Sequence, residues 1–175
     1  MADFIALVDQ DDAITGYADK MDVHVKGLLH RAFSIIIFNA KNEMLIHRRA
    51  DEKYHSPGLW TNACCSHLPE GREMDDIIYE RLYHEMGIQC SLEHSFTFHY
   101  QVGFDHGLIE NEIDHVYFGF FDGIPSPNPD EVSEWKWINL NDLYKDIITN
   151  SGSYTYWFKH IVLNYKNEIF SFCCK

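Results

Sequence analysis

Trp60-Thr61-Asn62-Ala63-Cys64-Cys65-Ser66-His67 sets a thiol and an imidazole two positions apart. Side chains alternate along extended backbone, so if this segment is a strand, Cys65 and His67 project to one side and Cys64 to the other, with Asn62 and Ser66. One of the two could be chemistry and the other a metal ligand. The plain alternative is that the cysteine pair is apolar filler and His67 caps a turn. What favours a site is the setting: Arg48, Arg49 and Lys53 lie just upstream, and a segment with Arg81 and Glu85 lies just downstream. That mixture suits an anion and a metal.

Working outward, Ala32 to Phe38 is rich in β-branched and aromatic residues, Asn39 to Asn42 is a turn, and Met44 to Arg49 reads as a second strand, which predicts a hairpin. Asp51 to Leu59 contains Pro57-Gly58 and should be a loop. Downstream, Glu73, Asp75 and Asp76 crowd the first turn of a helix that Gly87 ends, as the helix dipole and the C-terminal glycine preference favour. At helical spacing Ile77, Ile78, Arg81, Leu82 and Glu85 share one side.

Ser95 to Val102 and Glu112 to Phe121 read as strands, joined by a loop that ends in Glu110-Asn111-Glu112. In extended backbone those two glutamates point the same way, and convergence on histidines would make them ligands for a divalent ion. The alternative is a solvated acidic loop. Phe4 to Val8 is a first strand, Pro125 to Pro129 a linker within the fold, Glu134 to Ile138 a short strand, and Leu140 to Thr149 and Tyr154 to Tyr165 helices. There is no internal repeat, and residues 1–175 are expected to form a single domain.

Composition narrows the function classes. With 27 acidic against 14 basic residues the net charge is −13, which repels nucleic acid and anionic membrane over most of the surface. The local clustering of Arg48, Arg49 and Lys53, with Lys20 and Lys26 flanking the first histidine, still permits a small phosphorylated ligand. No apolar run approaches the roughly 20 residues of a membrane span. The acidic first dozen residues resemble no leader, so a cytoplasmic protein is expected. The five cysteines are odd in number and include adjacent pairs, a poor disulfide framework. The tail Cys173-Cys174-Lys175 lacks a prenylation pattern. A monomer or weak dimer is expected.

At Lys20-x3-His24-x5-His30, Arg49-x3-Lys53, Trp60-Thr-Asn-x-Cys-Cys65-Ser-His67, Arg81-x3-Glu85-Met-Gly87 and Glu110-Asn-Glu112, the chain resembles type I isopentenyl diphosphate isomerase, a Nudix-fold family. The resemblance runs from Phe4 to Trp157. Two departures stand out: the doubled cysteine followed by Ser66, where the family often has one Cys followed by Gly, and a His24–His30 gap shorter than in some bacterial members.

The resemblance implies an α/β fold, a mixed β-sheet sandwiched between helices, and a small-molecule diphosphate substrate whose double bond is moved. It implies one Mn²⁺ or Zn²⁺ on His24, His30, His67, Glu110 and Glu112, and a Mg²⁺ held by Glu85 against a diphosphate bound by Lys20, Arg49, Lys53 and Arg81. Arg48 should point away. Glu112 would donate a proton, with Tyr100, and Cys65 would accept one, its thiolate favoured by nearby cations. Trp157, followed by Trp60 and Phe33, would set an aromatic face against a carbocation. His47, His55, His84, His94, His99, His106, His115 and His160 match no family ligand position and are expected not to bind the metal.

Two other classes compete. A Nudix hydrolase of a nucleoside diphosphate derivative is suggested by Glu85-Met-Gly87-Ile88, but Arg72, Glu80, Arg81 and His84 stand where those hydrolases have Glu, Arg, Glu and Glu. A non-catalytic zinc module would use Cys64, Cys65 and His67 as structural ligands, yet Cys90, Cys173 and Cys174 provide no paired spacing to complete it.

Overall fold

The computed structural model describes residues 3–53, 55–104 and 107–173, so His106 and Cys174 lie outside the described residues. The strands are β1 (Phe4–Val8), β2 (Ile14–Asp19), β3 (His30–Phe38), β4 (Glu43–Arg49), β5 (Trp60–Thr61), β6 (Cys64–His67), β7 (Leu92–Gly103), β8 (Ile109–Phe120) and β9 (Val132–Asn139). The helices are α1 (Lys20–Lys26), α2 (Met74–Met86), α3 (Leu140–Thr149), α4 (Tyr156–Asn164) and α5 (Lys166–Cys173).

The strand β3 is the spine. One edge runs parallel to β8 from His30↔Glu112 to Phe38↔Phe120. Its other edge is shared in succession by β1 at Leu7↔His30, by β6 from Ala32↔His67 to Ile35↔Cys64, and by β4 at Phe38↔Met44. The expected β3–β4 hairpin is therefore closed at a single pair. Insertion of β6 pushes β4 aside, and β4 instead pairs along β9 from Glu43↔Asn139 to Arg49↔Val132. Residues of β3, β4 and β6 together line a cleft.

Alternation along β3 sends successive side chains to two cores. Phe33, Ile35 and Ile37 pack with Cys64, Ile77, Leu82 and Met86, burying the apolar face of α2. Ile36 and Phe38 pack with Phe118, Leu143, Trp157, Phe158 and Ile161 under α3 and α4. A mixed sheet between helices is the result.

The helix α2 ends at Gly87 with φ +65°, and a Cβ there would lie 2.7 Å from Ser126 O. Only glycine meets both the left-handed turn and the close approach of the β8–β9 connection. The short helix α1, which carries Lys20 and His24, was not anticipated from periodicity. Its signals are end signals: the Asp19 side chain accepts from the backbone N–H groups of Met21 and Asp22, and Gly27 closes it at φ +62°. The strand β8 begins at Ile109, so Glu110 belongs to the strand and not to the preceding loop. Among the described residues no helix is long and apolar enough to cross a membrane.

Candidate active site

The register of β3 assembles the first cluster. His30 opens β3 and pairs with Glu112, and Ala32 pairs with His67 on the other edge, so the three side chains share one face. The helix α1 brings His24 to the same place. One ligand atom from each of His24, His30, His67 and Glu112 lies within 4.8 Å of the others, and all four residues are buried. The three imidazole centroids are 5.0, 5.0 and 4.9 Å apart.

The hydrogen bonds around these rings set their tautomers. His24 Nδ1 lies 2.6 Å from Lys20 O and His30 Nδ1 2.8 Å from Leu28 O; a carbonyl only accepts, so each Nδ1 donates. Burial lowers the pKa of His24 and of His67, which favours neutral rings. His24 Nε2 then turns a lone pair toward Glu110 Oε1 at 3.8 Å, and His30 Nε2, which makes no hydrogen bond, lies 3.3 Å from Glu112 Oε1. A buried imidazole nitrogen close to a carboxylate oxygen with no hydrogen bond between them is a contact that positive charge placed between them would satisfy. A divalent cation fits this donor set.

Glu110 stands just outside the four-residue group, although the family pattern places it among the ligands. Its Oε1 is 3.1 Å from Nε2 of His55, a residue expected to have no part in the site. His55 is buried against Phe104 and Trp157, and burial together with Arg49 pushes its pKa down to about 3. The Tyr100 hydroxyl lies 2.8 Å from Glu110 Oε2 and 2.7 Å from Glu112 Oε2. Burial and the charge of Glu112 hold the Glu110 carboxyl well above the usual range. Burial acts in the same direction on Glu112, but the imidazoles beside it, His30 at 3.3 Å and the hydrogen-bonded His67, outweigh it and hold Glu112 well below. A protonated Glu110 donating to Tyr100, which donates to an ionised Glu112, satisfies all three groups with the protons available.

The strand β6 is extended, so the cysteines separate. Cys64 is fully buried in the core under α2, and Cys65 lines the cleft beside Ser34, with Arg49 Nη1 at 3.9 Å from its sulfur. Burial pushes the Cys65 thiol up to about 12, with Arg49 opposing and Glu85, Glu110 and Glu112 adding to the rise. The expected thiolate is thus corrected. One guanidinium does not offset the desolvation, and the chain alone holds a thiol.

The same cleft is lined by Lys20, Arg49, Lys53, Arg81 and Glu85, as well as by Phe33 and Trp157. Arg81 Nη2 is 2.7 Å from Glu85 Oε1 and 3.5 Å from Glu131 Oε1, and Lys53 Nζ pairs with Glu131. Burial lowers the Lys20 pKa, although Asp3, 4.0 Å away, opposes the shift. Burial raises the Glu85 pKa against the pull of Arg81. The Arg49 guanidinium sits 5.4 Å from the Trp157 ring, whose Nε1 donates to Asn62 Oδ1 at 3.2 Å. Arg48 turns away, its Nε donating to Gly58 O at 2.8 Å. Trp60 does not reach the cleft and packs instead under Lys136, whose Nζ is 4.3 Å from its ring. His47, Glu131 and His55 line the cleft without having been singled out from sequence. His47 is buried on β4, and burial together with Arg49 lowers its pKa to about 3. His47 stands two residues before Arg49 on the predicted strand, a spacing that puts both on one side, whereas His55 and Glu131 carry no local spacing signal.

Known proteins point the same way as the geometry. The NUDIX domain family model matches residues 28–158. The isopentenyl-diphosphate Delta-isomerase of Pectobacterium atrosepticum is 44% identical over 155 residues, covering 89% of this chain and 87% of that protein. Isopentenyl-diphosphate Delta-isomerase 2 of Aromatoleum aromaticum is 46% identical over 157 residues, covering 90% and 83%. Among solved structures, DR0079 of Deinococcus radiodurans superposes with a TM-score of 0.75 at 16% identity, covering 91% of this chain and 96% of that one, a likeness of fold alone. With a NUDIX domain over most of its length and relatives of this identity and coverage, the chain belongs to the isopentenyl-diphosphate Delta-isomerase family.

Proposed function

We propose that this chain interconverts isopentenyl diphosphate and dimethylallyl diphosphate as a metal-dependent isomerase. The observation that carries the reading is a single cleft lined by the Glu112–Tyr100 pair, the Cys65 thiol and the cations Lys20, Arg49, Lys53 and Arg81. Moving an unactivated double bond requires a proton delivered to the terminal methylene and another removed from the carbon beside the one that bears oxygen, with water kept from the tertiary cation between.

His24, His30, His67 and Glu112, with Glu110 alongside, would hold the Mn²⁺ or Zn²⁺, and Glu85 the Mg²⁺ that accompanies a diphosphate. A divalent ion there supplies positive charge that strengthens a neighbouring carboxylic acid as a proton donor. Lys20, Arg49, Lys53 and Arg81 bind and orient the diphosphate. Glu112 delivers the proton, supplied through Tyr100, and Cys65 accepts the second. Trp157 sets an aromatic face toward the cation. Forward turnover leaves a carboxylate on Glu112 and a thiol on Cys65, the pattern that the surroundings favour in the chain alone. Each forward cycle must then return a proton from the thiol to the Glu110–Tyr100–Glu112 group. A cytoplasmic setting accords with Cys64, Cys65 and Cys90 being free thiols.

Incubation with isopentenyl diphosphate in D₂O tests the reading. Deuterium should enter the product methyl and exchange into the allylic methylene. Absence of both with divalent metal present overturns it.

A further inference from the structure

Glu131 takes no part in moving protons, yet it is built firmly into the anion end of the cleft. Its backbone is fixed from two sides: Ala50 N donates to Glu131 O at 3.0 Å, and Glu131 N donates to Asn128 O at 3.0 Å. Asn128 N in turn donates to Glu85 O at 2.9 Å, which ties the segment to the end of α2. The carboxylate so placed pairs with Lys53 Nζ and lies 3.5 Å from Arg81 Nη2. Glu85 approaches the same Arg81 nitrogen at 2.7 Å.

A phosphate oxygen bonded to Lys53 or Arg81 would share its donor with Glu131. Two anions on one nitrogen repel across a partly buried site where water screens poorly. A divalent cation carried in with the phosphate reverses that sign, because Glu131 and Glu85 then both attract it. We propose that Glu131 is a positioning residue that makes this end of the cleft select a Mg²⁺-charged diphosphate over the bare anion. The proposal rests on the reading of the cleft as a diphosphate site.

Calorimetric titration of the full-length, metal-loaded protein with inorganic pyrophosphate, with and without added Mg²⁺, tests it. The parent should bind at least about tenfold more tightly with Mg²⁺. In Glu131→Gln, affinity without Mg²⁺ should rise at least about tenfold and the Mg²⁺ enhancement should shrink by a similar factor, with Glu131→Asp restoring it. A parent that binds bare and Mg²⁺-charged pyrophosphate equally overturns the proposal with no variant needed. So does a folded Glu131→Gln that keeps the parent's Mg²⁺ enhancement or weakens both forms alike. If the parent binds pyrophosphate under neither condition, the diphosphate reading itself fails.

Discussion

Alkylation of Cys65 puts a number on the balance between burial and charge in the cleft. With the thiol pushed up to about 12, the metal-free chain at a pH of about 7.5 should hold only about 3 × 10⁻⁵ of this residue as thiolate. Because the thiolate is the nucleophile, the rate constant for iodoacetamide at Cys65, followed by peptide mass mapping, should keep rising about tenfold per pH unit without a plateau below about pH 9.5. A divalent ion should raise the rate at fixed pH, since added positive charge favours the thiolate. Arg49→Met should lower it, because the guanidinium 3.9 Å from the sulfur is the cation that opposes desolvation. A plateau near pH 8.5, the ordinary cysteine range, would refute burial as the controlling effect. The same mapping should leave the fully buried Cys64 unlabelled in the folded chain. Cys65→Ser should keep fold and metal content and lose about 10²–10⁴-fold in turnover, as expected when a proton-transfer group is removed. Near-normal turnover, or label on Cys64, would show that the wrong thiol has been assigned.

Three further expectations test other parts of the site. Glu112→Gln should lose about 10²–10⁴-fold in turnover while leaving Mg²⁺-pyrophosphate binding almost unchanged by calorimetry, and parallel loss of both would mean a collapsed cluster rather than a missing acid. Stripping divalent metal with a chelator should lower the thermal midpoint, since an ion at about 100 times its dissociation constant stabilises the fold by about 2.7 kcal/mol; an unchanged midpoint with the metal shown gone by mass spectrometry contradicts a structural share for His24, His30 and His67. Burial and the charge of Glu112 raise the Asp114 carboxyl well above its ordinary value, so its contribution to stability is present at low pH and is lost as pH rises toward the folded value; urea melts of Asp114→Asn should show a flatter pH dependence above about pH 4, and a steeper one counts against the assignment.

Period and end signals carried much of the fold. The acids Glu73, Asp75 and Asp76 at its start and the glycine after Met86 bracket α2, and two-residue alternation sufficed to put Glu110 with Glu112 and to separate Cys64 from Cys65. The misses have a common origin in contacts that no local window contains. The turn at Asn39 to Asn42 was visible, but whether β4 stays beside β3 depends on β6, which wedges between them from further along the chain. Glu131 meets Lys53 across 78 positions, and His55 reaches Glu110 from the middle of a loop. The thiolate expectation counted nearby cations, which are legible in the sequence. It could not count desolvation, which exists only once the sheet and α4 close over the sulfur.

The doubled cysteine turns that register into a chemical constraint. Glu112 lies opposite His30 on one edge of β3, while His67 and Cys65 lie opposite Ala32 and Ser34 on the other, so all share the face of His30, Ala32 and Ser34. A one-residue slip of β6 would exchange faces along the whole segment. It would still present a thiol, Cys64, and thus the loss of a nucleophile would not by itself penalise the slip. The imidazole differs, because Ser66 would take the place of His67 and neither Glu112 nor an ion in the cluster would find its partner. The pairing of His67 with Glu112 at 3.0 Å is therefore what distinguishes the two registers, and any ion held by His24, His30 and His67 widens the gap between them. The cluster able to hold a metal also decides which of two adjacent sulfurs faces the cleft.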